Sequence, residues 1–482
     1  MRGLWLRVAG IVLVTSVVAI GQVTYSFTGG GARAAGMGKA FLGVSDDASA
    51  LTWNPAGLVS FDKVVLSLAY GSFQPRGNFF NEEAAGGAAI SRGTVKQAGS
   101  FSQINCLSFV APVRISGRQV VLSAAYTQAG DDYSTVNFGN KGAMWQLDQG
   151  GNEIDGSRST YSTMIDQENH FSPYMVNIGF GTPLSKGLDL GIALNVYSGR
   201  QLDRYSYVTI YDSLLYTDNQ RVKWGSNSLT LDTFRLSGVN FTIGLKKAFE
   251  KFNVGLVFKT GYTLSGSGGL VRSQYSSING VPLSVTSRTL YLDYQLYKKE
   301  MPWSIGAGIG YKATENLLVA ADFEYHPFKN TTMQVRDSII MHSGDQNKEY
   351  FTTIDTLKYN VFTMRGGVEY SWKTGASFAP LVPIRAGMAY IPTPSKSFDR
   401  FGEYSRATET DMSAGIGVYW SQIHLDLSYT YRHMNMGTYY VFNAQTAISG
   451  STNTIFIGDT QVTFGEIKTR EHRMNLTFTG YF

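Results

Sequence analysis

The chain has 482 residues, of which 16% are charged and 13% aromatic, with 53 Gly, 29 Tyr, 28 Phe and one Cys. A soluble chain carries about a quarter charged residues, so much of this surface is expected to meet something other than water. The formal charge of +5 falls to +3 if Arg2 and Arg7 leave with an export signal, which excludes a nucleic-acid footprint; the mean hydropathy of −0.10 excludes a bundle of membrane helices.

Arg2 and Arg7 flank an apolar run from Val8 to Ile20, and Ala19-Ile20-Gly21 supplies the small residues that a signal peptidase needs. Residues 1–21 therefore read as a cleaved export signal. No Cys follows the run to carry a lipid anchor, and Cys106, inside an expected strand, has no partner for an internal disulfide.

Residues 22–61 do not alternate, yet they are rich in small and apolar side chains. Such a segment is too short for a domain of its own and too apolar for a free tail, so it needs shelter. Ser45, Asp46 and Asp47 are placed to cap a short helix from Ala48, Pro55 would end it, and Pro55 restricts Asn54 to extended geometry.

From residue 62 to the end the rhythm is period two. Fourteen alternating segments start near residues 62, 103, 118, 171, 187, 233, 251, 295, 315, 358, 379, 409, 422 and 470. Leu425, Leu427, Tyr429 and Tyr431 fall opposite Asp426, Ser428, Thr430 and Arg432, and Phe362, Met364, Val368 and Tyr370 opposite Thr363, Arg365, Gly367 and Glu369. One apolar wall and one polar wall, in an even number of strands, describe a closed all-β outer-membrane barrel, whose strands need about 9 to 11 residues to cross. The aromatic residues suit girdles at the two interfaces, and the glycines suit tight turns and a crowded lumen wall.

Connections alternate in length. Ser116-Gly117, Ser185-Lys186-Gly187, Phe249-Glu250-Lys251, Thr314-Glu315-Asn316, Lys373-Thr374-Gly375 and Ser421-Gln422 read as short turns on the periplasmic side. Polar loops, about 75–101, 129–170, 200–232, 264–290, 330–355, 392–407 and 434–463, read as facing outside. The last strand places Met474, Leu476, Phe478 and Phe482 on one face and Asn475, Thr477 and Thr479 on the other. Its terminal Phe482 reads as the signal taken by the machinery that inserts outer-membrane barrels. A barrel this wide is not filled by wall side chains, so residues 22–61 are expected to plug the lumen of the barrel formed by 62–482.

The N-terminal segment also carries a resemblance. Gly36-Met37-Gly38-Lys39-Ala40-Phe41, Asp46-Asp47-Ala48-Ser49-Ala50 and Trp53-Asn54-Pro55-Ala56-Gly57-Leu58 resemble the N-terminal hatch of the FadL family, the OMPP1/TodX transporters of long-chain fatty acids and aromatic hydrocarbons. Pro383 to Tyr390, Pro392 and Pro394, Ser413 to Gly417, and Leu425 to Tyr429 are similar to the family's late strands. Between about 76 and 375 only the barrel rhythm is shared. The resemblance implies a fourteen-stranded barrel with an N-terminal plug, and passive import of a hydrophobic ligand that leaves through the wall or past the hatch. Its surroundings would be the bilayer and lipopolysaccharide. A ligand that kept its apolar surface in a watery pore would gain little, so an apolar pocket is expected.

Chemistry beyond this is not expected. The six histidines, at 170, 326, 342, 424, 433 and 472, have no HExxH or Cys-His spacing, and neither GxSxG, a phosphate-binding loop nor a dinucleotide fingerprint is present, so neither a metal, a cofactor nor an enzyme is expected. The acidic stretch Asp148 to Asp155 does not match an EF-hand and reads as a solvated loop. Asp322, Glu324, Arg365, Glu369, Arg385, Asp426 and Arg432 fall on polar strand faces. They would either bind a carboxylate or latch the hatch, or pair wall to wall, and the last is the leading expectation. The competing class is a scaffold or cargo-shuttle barrel related to the outer-membrane component of the type IX secretion system, which bound cargo on purification would reveal.

Overall fold

The computed structural model describes residues 30–82, 101–130, 132–147, 159–215, 221–279, 281–286, 295–341, 348–398, 404–437, 448–449, 455–458 and 464–482. The expected export signal, residues 22–29 and the acidic stretch from Asp148 lie outside them. Fourteen antiparallel strands close into a barrel. They are β1 (Val65–Glu82), β2 (Phe101–Ile115), β3 (Arg118–Gln128), β4 (Ser159–Ser185), β5 (Leu188–Leu215), β6 (Arg221–Ala248) and β7 (Phe252–Lys259). The circuit continues with β8 (Ser304–Lys312), β9 (Leu317–His326), β10 (Val361–Lys373), β11 (Leu381–Phe398), β12 (Tyr404–Tyr419), β13 (Ile423–Gly437) and β14 (Phe464–Tyr481).

Closure comes from β14 against β1, a ladder that runs from Val65↔Tyr481 to Glu82↔Phe464. A closed circuit leaves no wall strand with a free edge, which is what a strand structure in hydrocarbon requires. Burial alternates as the sequence does. Leu425, Leu427, Tyr429, Met474, Leu476 and Phe478 are exposed, whereas Asp426, Ser428, Thr430, Arg432, Asn475 and Thr477 between them are buried. The outside is thus an apolar belt that only lipid can cover, and the polar residues face a crowded interior. No helix among the described residues is long and apolar enough to cross a membrane.

Two expectations need correction. The eighth wall strand is Ser304–Lys312, and the segment from Gln295 is a separate strand, Gln295–Met301, paired antiparallel with residues 262–268. Most of the expected long loops are also paired. Residues 132–147 extend the sheet from β4, residues 262–278 from β6, and 332–341 pair with 348–356. The strands β5 and β6 are 28 residues each. At about 3.3 Å per residue that is roughly 90 Å, far beyond the membrane. Neither face of such an extension meets lipid, so the apolar alternation that marks a wall strand is absent from it.

Candidate functional site

Residues 30–61 lie against the inner wall and are buried almost throughout. A short helix α1 (Ala32–Gly36) opens the segment. It closes in a Schellman arrangement, with Lys39 N–H donating to Ala34 O at 2.8 Å and Gly38 N–H to Ala35 O at 3.1 Å. Gly38 supplies the left-handed φ of +63° that this closure needs. The expected helix from Ala48 is a single turn, α2 (Ala50–Trp53), and Pro55 does more than end it. Asp47 forms a local turn instead of a helix cap, its Oδ1 accepting from Ser49 N–H at 2.8 Å and from Ser49 Oγ–H at 2.6 Å. Burial raises the Asp47 carboxyl above its ordinary range, opposed by Arg33.

Asn54 sits where α2 meets the 3₁₀ turn Pro55–Ser60. Its φ of −146° is the extended geometry that a following proline enforces. The side chain ties three segments together: Oδ1 accepts from Ala56 N–H at 3.1 Å, and Nδ2 donates to Leu42 O at 3.0 Å and to Leu245 O of β6 at 3.1 Å. Beside it, a Cβ on Gly57 would lie 1.9 Å from Ser45 O, so the turn closes only on glycine.

Glycines make the wall receptive. A Cβ would come within 2.1 Å of Asn54 Oδ1 at Gly244, 2.0 Å of Leu42 O at Gly255, 2.3 Å of Met37 O at Gly367, and 2.1 Å of Gly38 N at Gly387. On β12 the approach is looser, a Cβ on Gly415 lying 3.3 Å from Gly36 Cα. The backbone of the segment thus rests directly on the strands, in a shallow track where side chains are missing.

Charge fixes it there. The Arg33 guanidinium donates twice to Glu369, and also to Asp46. Glu369 accepts from Arg385 at 2.6 Å, and Arg385 reaches Asp426 at 2.6 Å and Tyr419 OH at 2.6 Å. Asp322 Oδ2 accepts the backbone N–H groups of Phe41 at 2.5 Å and Leu42 at 2.8 Å. Lys39 donates to Asp411 at 2.8 Å, and the fully buried Arg432 lies 3.1 Å from both Asp411 and Glu409. Burial lowers the Lys39 ammonium from its ordinary range, opposed by Asp411. A separate wall cluster joins Glu324 to Arg365 at 2.8 Å, and to Lys259 and His326 at 3.4 Å.

Of the seven expected lumen charges, Glu369 and Asp322 hydrogen-bond the N-terminal segment and Arg365 lies over its Trp53 ring at 5.9 Å, while Glu324, Arg385, Asp426 and Arg432 pair along the wall. Lys39, Asp411, Glu409 and Lys246 belong with them and were missed; Lys246 donates to Val44 O at 2.5 Å. Alternation assigns Asp411 to the polar face of β12, but the face alone does not name its partner. Among the described residues, no group of three or more His, Cys, Asp or Glu is placed to hold a metal ion.

Beyond the segment, toward the long connections, the inner face turns apolar. Phe171, Phe234, Leu236, Leu264 and Met333 form a buried cluster, with Tyr197 and Tyr262 stacked beside it at 4.5 Å between ring centroids.

The architecture defines a class: a fourteen-stranded membrane β-barrel that holds its N-terminal segment against the inner wall. Its fold is that of a FadL homologue of Pseudomonas aeruginosa, which it matches at a TM-score of 0.56 with 14% identity, over 95% of this chain and 99% of that one. The monoaromatic hydrocarbon channel CymD matches at 0.52 with 13% identity over 95% and 99%, and the toluene transporter TbuX of Ralstonia pickettii at 0.51 with 12% identity over 95% and 100%. At these identities the likeness establishes the shared fold. No protein-family model and no curated protein matches the sequence.

Proposed function

We propose that the chain is an outer-membrane transporter for passive uptake of hydrophobic compounds, such as long-chain fatty acids or aromatic hydrocarbons. In this reading residues 1–21 are removed on export, 22–61 are the hatch and 62–482 the barrel. The proteins that share the fold are described as a FadL homologue, a hydrocarbon channel and a toluene transporter, none of them an enzyme.

The observation that carries the reading is the apolar cluster of Phe171, Phe234, Leu236, Leu264 and Met333 on the inner face toward the long connections, beyond the charged positions that hold the N-terminal segment. A water-filled pore gains nothing from such a lining, whereas a hydrophobic ligand gains about 25 cal/mol for each Å² of apolar surface removed from water there. The hatch below closes the aqueous route, so the ligand moves by exchange between apolar surfaces while small polar solutes are held back. Gly36, Gly38, Asp46, Asp47, Asn54, Pro55, Ala56 and Gly57 give the hatch its shape, and Phe482 serves assembly by the insertion machinery.

The test is Leu236→Asp, which places a carboxylate in the apolar cluster. Uptake of a fluorescent fatty acid and of a radiolabelled aromatic hydrocarbon should both fall, with barrel folding followed by heat-modifiable mobility. Unchanged uptake of both tracers by a folded variant would remove the support for this reading.

A further inference from the structure

The exterior of β13, β14 and β1 changes character row by row. Facing neighbours across these three strands are Leu425, Phe478 and Leu68 in one row and Leu427, Leu476 and Tyr70 in the next. All six are exposed and apolar or aromatic. Two rows further on stand Tyr431, His472 and Gln74, and then His433 beside Arg470. No Asp or Glu stands among these five residues.

Alternation puts Arg470, His472 and His433 outside. Their chain neighbours Arg432, Glu471 and Arg473 are the buried inward residues, while Arg470 is exposed and the two histidines are partly so. The lowest wall position of β14 is set by Tyr481, whose N–H donates to Gln422 O in the short turn before β13. Gly480 and Arg470 are ten residues apart. That separation is about 34 Å along a strand and about 26 Å along the membrane normal at a tilt of about 40°. The apolar band of an outer-membrane barrel is about 25 Å tall, so the basic row stands at the headgroup level on the side of the long connections.

The site is also built. The Tyr429 hydroxyl and His472 Nδ1 are 2.6 Å apart, and the Tyr431 ring meets the His472 ring edge-on at 5.5 Å. With Nδ1 engaged in this way, Nε2 remains as the second hydrogen-bonding atom of the ring. Beside it Arg470 offers a planar fork of N–H donors suited to a phosphate. Aromatic rings below and cationic donors above match an amphiphile with acyl chains and a phosphorylated sugar head.

We infer that the outer rim of β13 and β14, centred on Arg470, His433 and His472, binds the phosphate of a phosphorylated glycolipid of the outer leaflet. The inference rests on the outer-membrane placement and orientation proposed above. It concerns the lipid around the barrel and is separate from the compound carried through it.

Native mass spectrometry of the full chain in detergent, titrated with bis-phosphorylated lipid A, dephosphorylated lipid A or phosphatidylglycerol, tests it. Binding of the bis-phosphorylated form is expected to exceed both others by about tenfold, and Arg470→Gln with His433→Gln should abolish that preference. Arg470→Lys, which keeps the charge, should retain part of it. Equal binding of dephosphorylated lipid A, equal binding of phosphatidylglycerol, or an undiminished preference in the folded double variant would each overturn the site. Should the double variant not fold, Arg470→Gln alone decides by the same criterion. Tracer uptake by Arg470→Gln should stay at the unsubstituted level, so a failed lipid titration counts against this site and a failed uptake assay against the transport reading.

Discussion

Arg33 and Glu369, 336 residues apart in the chain, meet in two parallel hydrogen bonds, Nε to Oε2 at 2.8 Å and Nη2 to Oε1 at 2.9 Å. The pair joins α1 to the inner face of β10, and its fork geometry fixes orientation as well as distance. Glu369 also holds Arg385, so the wall side of the contact is complete without the N-terminal segment.

Replacing Arg33 therefore leaves no uncompensated carboxylate on the wall. Arg33→Ala should keep heat-modifiable barrel folding but loosen the segment by about 1.5–3 kcal/mol, the scale of hydrogen bonds to charged groups. Limited proteolysis of the folded protein should cut within residues 30–47 faster than in the unsubstituted chain. An unchanged cleavage rate would mean that other contacts carry the attachment.

Two adjacent glycines on β10 separate the segment from the barrel. A Cβ on Gly367 would lie 2.3 Å from Met37 O, while a Cβ on Gly366 meets nothing within 4 Å. Gly367→Ala should displace the segment at a cost of about 1–3 kcal/mol, and Gly366→Ala should be silent. Single-channel conductance reads the difference: raised for position 367, unchanged for 366. Equal behaviour of the two variants would contradict the inner track.

Asn54→Ala removes three hydrogen bonds at once, to Leu42, Leu245 and Ala56. The buried partners left unsatisfied cost about 1–3 kcal/mol, while the wall ladder closes on itself and is spared. Barrel mobility on a gel should be normal and uptake of a hydrophobic tracer altered. Normal uptake would show that this junction does not govern passage.

The wall was legible in the sequence because lipid outside and a polar interior inside force a period of two. Leu425, Leu427 and Tyr429 against Asp426, Ser428 and Arg432 could be assigned to faces from their order alone. The extensions were not legible, since beyond the membrane no lipid selects an apolar outer face; residues 132–147 and 262–278 read as loops for that cause. The wall contacts of the N-terminal segment were half legible. Asp322 and Glu369 fell on the correct face by parity, but nothing local pairs Lys39 with Asp411, 372 residues away. That contact depends on barrel closure and on the left-handed turn at Gly38 and Lys39.

At the other end of the chain Phe482 is largely exposed, and its N–H donates to Val64 O at 2.9 Å, beside the first strand. Its ring adds little to the folded wall, so its removal should act on assembly. A chain lacking Phe482 should give a lower yield of heat-modifiable barrel in the membrane with export undiminished. Equal folded yield would contradict its reading as an assembly signal.

The central claim is that the N-terminal segment seals a barrel otherwise wide enough to conduct. Planar-bilayer conductance of the chain lacking Gly29 to Ser60 tests it most directly. The account predicts a folded barrel with conductance well above that of the full chain, because fourteen strands enclose more space than their side chains fill. A folded deletion variant with the conductance of the full chain would contradict it.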